Sequence, residues 1–192
     1  NTVNVSSDGL VVDGSPPVAP RGDGAIVEAA NMTSAMDSDL QGHMTLTFAW
    51  MPFVDLQTGV DHYEIQVVDV TDAAFTVVLD WASVGNATTF RHGSLPLAHA
   101  RTYAANVRAF NGAGGYSEIH SNGVALDVTA PLAGTVVDGL STNTNITSSL
   151  AHIGANWYGF SEPDSMLDHY VWCVGSSPGL DDIIPCNDVG TD

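Results

Sequence analysis

The chain of 192 residues contains no lysine and only four arginines, against 22 aspartates and glutamates, for a formal charge of −18. A surface so short of cations repels phosphate backbones, which argues against nucleic acid and anionic membrane surfaces as partners. Long apolar runs are missing too. Stretches such as VALDVTAPLAGTVV, from Val124, are broken by Asp, Pro or Gly well short of the about 18 residues that a spanning helix needs. No signal-peptide pattern precedes Asn1, so the sequence reads as a mature chain or as a piece of a longer one. Hydrophobic content of 44% is that of a globular protein, so the acidity is not a mark of disorder.

Cysteine is scarce. Cys173 and Cys186 are the two present, and their spacing excludes a four-ligand zinc site and a C-x-x-C redox pair. The pair reads as a local disulfide, with two buried thiols as the alternative; the bond would constrain the unfolded chain by roughly 3 kcal/mol. Catalytic signatures are absent as well: there is no G-x-S-x-G elbow, no H-E-x-x-H and no Gly-rich phosphate loop. Carboxylates abound without a discriminating pattern, so the segment reads as non-enzymatic.

What the chain does have is repetition. FVDLQTGVDHYEIQV begins at Phe53 and FSEPDSMLDHYVWCV at Phe160. Trp50 and Trp157, Asp61 and Asp168, His62 and His169, and Tyr63 and Tyr170 are each 107 residues apart. SSDGLVVDGSPPVAP from Ser6 likewise matches HSNGVALDVTAPLAG from His120, with Pro17 and Pro131 separated by 114. Two phrases recurring in one order are the mark of tandem structural repeats. N-x-S/T sequons stand at Asn4, Asn31, Asn86 and Asn145, and NMTS and NITS are again 114 apart, so the same loop of each repeat offers one. Sequons and a cysteine pair point to a secreted or cell-surface glycoprotein carrying N-glycans. The seven-residue difference between the offsets is expected in the polar stretch DSDLQGH, Asp37 to His43, because insertions are tolerated on surface loops.

Helical periodicity is nearly absent, and short alternating runs bounded by Gly, Asn, Asp or Pro dominate. Tyr63, Ile65 and Val67 share one face of a strand; Tyr103, Ala105, Val107 and Ala109 share one face of another; Met44, Leu46, Phe48 and Trp50 share a third. FTVVLDWAS and GVALDVTAP supply further strands, and about seven between Pro17 and Thr129 make one β-sandwich.

A strand ending in Trp50, a proline bend, VDHYEIQV, and then LPLAHARTYAANVRAFNGAGGYSE resemble a fibronectin type III repeat. The resemblance places Trp50, Tyr63, Leu97, Tyr103, Val107, Ala109, Asn111 and Gly114 on that family's motif. It implies an all-β chain of tandem immunoglobulin-like sandwiches, with Trp50, Tyr63, Leu97, Tyr103, Trp157 and Tyr170 as core anchors and Tyr103 as a corner tyrosine bonded to nearby backbone. Ala105 stands where the family more often has a larger aliphatic residue. The aspartate-rich linker and WCVGSSPGLDDIIP also look like variants found in large surface proteins of protists, algae and invertebrates. On this mapping residues 1–16 are the last strand of a preceding repeat plus linker, 17–129 a complete domain, and 130–192 the first half of a further one. Pro16, Pro17 and Pro131 would stiffen the joints.

Three smaller features complete the reading. Asp55 and Asp61, their counterparts Glu162, Asp164 and Asp168, and the linker pair Asp127 and Asp138 are oxygen ligands of the type calcium takes; the bland reading is solvated turns. Arg21, Gly22 and Asp23 spell RGD at the entrance of the domain, where coincidence is the simpler account. The function expected is structural: a segment of a long surface protein or filament, such as a surface or flagellar hair, whose partners are neighbouring copies or other extracellular proteins. The alternative is an adhesion module that recognises a glycan or receptor through its loops.

Overall fold

The structure is a computed structural model, and it describes residues 6–22, 24–29, 37–139, 146–149 and 152–191. The chain divides into two compact units, Asn1–Val128 and Thr129–Asp192.

Unit 1 is built on two ten-residue strands that the alternation predicts, β4 (Val60–Asp69) and β7 (Thr102–Asn111), paired antiparallel. Strand side chains alternate between faces, so Tyr63, Ile65, Val67, Tyr103, Ala105, Val107 and Ala109 all enter the core. Chain order around this pair is β1 (Ile26–Val27), β2 (Leu40–Gln41), β3 (Leu46–Trp50), β4, β5 (Thr76–Gly85), β6 (Thr89–His92), β7, β8 (Tyr116–His120) and β9 (Val124–Leu126). One sheet is β1-β3-β6. The other runs β2-β9-β7-β4-β5, with β8 also paired to β7. Leu46, Phe48 and Trp50 of the first sheet close over the inner face of the second. That is the strand arrangement of an immunoglobulin-like, fibronectin type III-like sandwich.

Strands β8 and β9 follow one another along the same side of β7, with a bend between them. The bend is at Gly123, whose φ of +97° suits glycine alone, and a Cβ there would lie 3.2 Å from the Tyr103 carbonyl.

Several expectations need correction. Met44 precedes β3 and is exposed, so the buried face of that strand starts at Leu46. Within the polar stretch 37–43, Leu40 and Gln41 form β2, parallel to β9, rather than a plain loop. Nor does the length difference sit in one place. The register pairs Val18 with Val54 and Leu132 with Ser161, an offset of 114 for the first members and 107 for the second. Ile26 opposes Trp50 as Val136 opposes Trp157, an offset of 110 for the first members and 107 for the tryptophans. Four of the seven extra residues of the first copy therefore precede β1 and three follow it.

Within unit 1 but ahead of β1, residues 6–17 form no strand. Leu10 and Val12 are 89% and 82% exposed, whereas Val124 and Leu126, their counterparts in the repeated phrase, are each 1% exposed.

Unit 2 holds two hairpin-like pairs: β10 (Thr135–Asp138) with β11 (Ala155–Tyr158), and β12 (Val171–Val174) with β13 (Ile184–Asp188). No described residue of it is fully buried.

Candidate interaction surfaces

The repeated aromatics form the same cluster in both units. In unit 1 the Tyr63 ring meets Trp50 and Phe53 edge-on, each at 5.8 Å between centroids. In unit 2 Tyr170 lies 5.7 Å from Trp157 and 5.6 Å from Phe160. The settings differ. Trp50, Phe53 and Tyr63 are 0%, 4% and 4% exposed. Trp157, Phe160 and Tyr170 are half-buried and border an open hollow of about 520 Å³ with Val136, Leu167 and Trp172. In unit 1 the equivalent backbone edges are hydrogen-bonded to β6 and β7.

Both core tyrosines use their hydroxyls on the backbone. Tyr103 accepts the Ala98 N–H at 2.8 Å, and Tyr63 accepts the Phe53 N–H at 3.1 Å. Leu97 packs partly buried beside this corner.

A polar hub ties the linker ahead of β1 to the sandwich of unit 1. Asn111 is buried at the end of β7. Its Oδ1 accepts the N–H groups of Gly115 (2.8 Å) and Ala113 (3.1 Å), which fixes the carboxamide's orientation. Its Nδ2 then faces three acceptors: the Ser15 carbonyl at 2.7 Å, Asp13 at 3.0 Å and Asp55 at 3.2 Å. Thr58 donates its hydroxyl to Asp13 at 2.7 Å, and Ser117 donates to the Pro17 carbonyl at 2.6 Å. Backbone N–H groups of Thr58 and Gln57 also bond Asp55; with the Asn111 amide, and Thr58 foremost, they hold its carboxyl below the usual range. The hub joins residues nearly 100 apart in sequence, so no local motif announces it.

On the outer face of the large sheet, side chains run in rows across the strands. Phe110 stacks on His62 at 4.7 Å and leans on Tyr116 at 5.2 Å. Arg108 sits 3.7 Å above the Trp81 ring, 4.9 Å from Tyr116, and bonds Glu118 at 2.8 Å. Asn106 donates to Gln66 at 3.0 Å. Rings and charges on this face are largely engaged with one another. At one end Asp69, buried, takes the Arg101 guanidinium at 2.7 Å, and Arg101 also reaches Asp72 at 3.0 Å. Burial pushes the Asp69 carboxyl up, but bonds from Arg101 and Thr71 outweigh it, and the carboxyl lies below its usual range.

The remaining sequence candidates fall as follows. Asp61 and Asp168 each bond the following histidine, His62 and His169, at 2.8 Å. For His169 this bond, with the nearby charge of Asp188, pushes the imidazole above its usual value. Asp127 lies 3.7 Å from His99, and Asp138 ends β10. Asp55, Asp61 and Asp138 join no converging group of three metal-ligating side chains among the described residues. Cys173 and Cys186 are bonded to each other and staple β12 to β13. Asn86 is exposed in the turn between β5 and β6, open to a glycan. Asn4, Asn31, Asn145 and Asp23 lie outside the described residues. The exposed large aromatics Phe75, Tyr116 and Tyr158 share no loop.

No protein-family model matches the chain, and no curated protein matches it. Among solved structures it is similar to the twitchin kinase region from C. elegans (Fn31-NL-kin-CRD-Ig26). That match has 14% identity and a TM-score of 0.39, over 59% of this chain and 16% of that one. It is also similar to chicken CNTN1 FN1-FN3 domains, at 18% identity and a TM-score of 0.42, over 93% of this chain and 55% of that one. The likeness is one of fold. No helix among the described residues is long and apolar enough to cross a membrane.

Proposed function

We propose that this chain is a stretch of an extracellular structural array, in which fibronectin type III-like sandwiches are beads and docked linkers are stiff joints. The observation that carries the reading is the hub at Asn111. A free tether would leave Asp13 to Pro17 solvated, whereas here they are bonded into the body of the following bead. The exposed Leu10 and Val12 suit the closing strand of a preceding bead, and the open aromatic cluster of unit 2 suits the first half of a following one. Glycans on the sequons, the disulfide and the net charge of −18 fit an outer-surface setting in which neighbouring copies or other extracellular proteins are the partners. A protist, algal or invertebrate surface hair is one such assembly.

Electron microscopy of the native glycosylated material tests this. The expected images are elongated particles or filaments of regularly spaced beads. Isolated compact monomers without lateral or axial contacts would overturn the reading.

A further inference from the structure

The residue that follows β1 carries a carboxyl group that the sandwich encloses. Glu28 is 6% exposed. Its Oε1 accepts the N–H of Gly123 at 3.2 Å, at the bend between β8 and β9. Its Oε2 is fully enclosed and meets no hydrogen-bond donor. Asp37 stands beside it and accepts the Glu28 backbone N–H at 3.3 Å. The groups acting on the Glu28 carboxyl from the surrounding elements are Asp37 and the Ser121 hydroxyl, and no arginine or histidine is among them. The Ser121 oxygen in turn accepts the Ala105 N–H.

Ionised, the enclosed Glu28 carboxylate would lack water and stand against the negative charge of Asp37, which is itself exposed. A proton kept between them cancels one charge and gives the enclosed oxygen the hydrogen bond it lacks; carboxyl pairs that titrate as a unit behave this way. We propose that Glu28 and Asp37 share one proton in the folded chain, forming a pH-operated clasp that ties the two ends of the 28–37 connection to the β8–β9 bend. In sequence, that connection carries the Asn31 sequon.

Burial, then the hydrogen bond with Asp37, raise the Glu28 carboxyl from 4.5 to about 7. The folded state therefore holds the proton more tightly than the unfolded chain does. The clasp's contribution is complete below the ordinary value of 4.5 and is lost as pH rises through about 7, where Asp37 parts from Glu28.

The test labels the side-chain carboxyl carbons of glutamate in the full chain, which has four: Glu28, Glu64, Glu118 and Glu162. Carbon NMR across pH 3 to 9 should show one of them titrating near 7, with the Gly123 amide following that midpoint. Glu28→Gln should abolish the neutral titration, and Asp37→Asn should lower its midpoint by roughly one pH unit or more. If all four carboxyls titrate below about pH 5.5, there is no shared proton. An unchanged neutral midpoint in Asp37→Asn would leave burial alone as the cause and overturn the pairing. A calcium-induced shift of the Gly123 amide at pH 8, lost in Glu28→Gln, would assign the pair to a cation instead. Should Glu28→Gln not fold, the titration of the unmodified chain still decides.

Discussion

Trp157 and Tyr170 stand 5.7 Å apart between ring centroids, and Trp50 and Tyr63 stand 5.8 Å apart, although the first pair is half-buried and the second wholly enclosed. The local cluster thus forms from the strand and bend that carry it, before a second sheet covers it. Covering adds the energy. Trp50→Ala should cost about 3–5 kcal/mol in denaturant unfolding of unit 1. Trp157→Ala in the same chain should cost less, roughly 1–2 kcal/mol, because its ring is only partly enclosed and borders an open hollow. Equal costs would contradict the difference in enclosure.

Asn111→Ala should release the linker. The side chain bridges Ser15, Asp13 and Asp55 to the loop at Gly115, and its loss takes one donor from each of these half-buried acceptors and unfastens the linker. A loss of about 1–3 kcal/mol is expected. Cleavage between Gly14 and Val18 in limited proteolysis should quicken at the same time. Unchanged cleavage would mean that Pro16 and Pro17 alone hold the joint.

Arg101→Ala strips Asp69 of its cation and should destabilise unit 1 at neutral pH. The sign of the pH dependence follows from the lowered carboxyl. Its contribution is present above the ordinary value of 3.8 and is lost as pH falls through the lower folded value. The gap between the two proteins should therefore narrow on acidification below about pH 4. Thermal unfolding at pH 2.5, 4 and 7 measures it.

Gly123→Ala forces a side chain into a positive-φ position against the Tyr103 carbonyl and the Thr102 methyl. A cost of about 1–2 kcal/mol is expected. The Gly123 N–H to Glu28 bond should weaken with it, visible as faster amide exchange at that residue alone.

Reduction of Cys173–Cys186 should affect unit 2 and spare unit 1. The bond spans 13 residues, and opening it removes a constraint worth roughly 3 kcal/mol. Separate melting of the two units, followed through Trp157 and Trp50 fluorescence in single-tryptophan variants, distinguishes them.

Sequence carried the long elements well, because the alternation in β4 and β7 assigned Tyr63, Ile65, Val67, Tyr103, Ala105, Val107 and Ala109 inward, and each of them is buried. Short pieces were less legible. Leu40 and Gln41 pair with β9 over only two residues, too few for any periodic signal, so their stretch looked like a loop. Equal sequon spacing suggested a single insertion, whereas the strand register splits it on either side of β1. Glu28 lies in the bland phrase AIVEAA, and nothing local marks it as enclosed; its partners Asp37 and Gly123 arrive by the fold. Asn111 stood on the family motif, but its grip on the linker depends on Asp13 and Asp55 meeting it in space.

The staple across β12 and β13 also has a mechanical meaning. Under tension along the chain, residues between Cys173 and Cys186 cannot extend, because load bypasses them through the sulfur–sulfur link. With 13 residue steps shunted at about 3.5 Å each, some 40 Å of contour is withheld from any stretch. A strand running through such a segment would yield in shorter, stiffer increments than one drawn out along its full backbone.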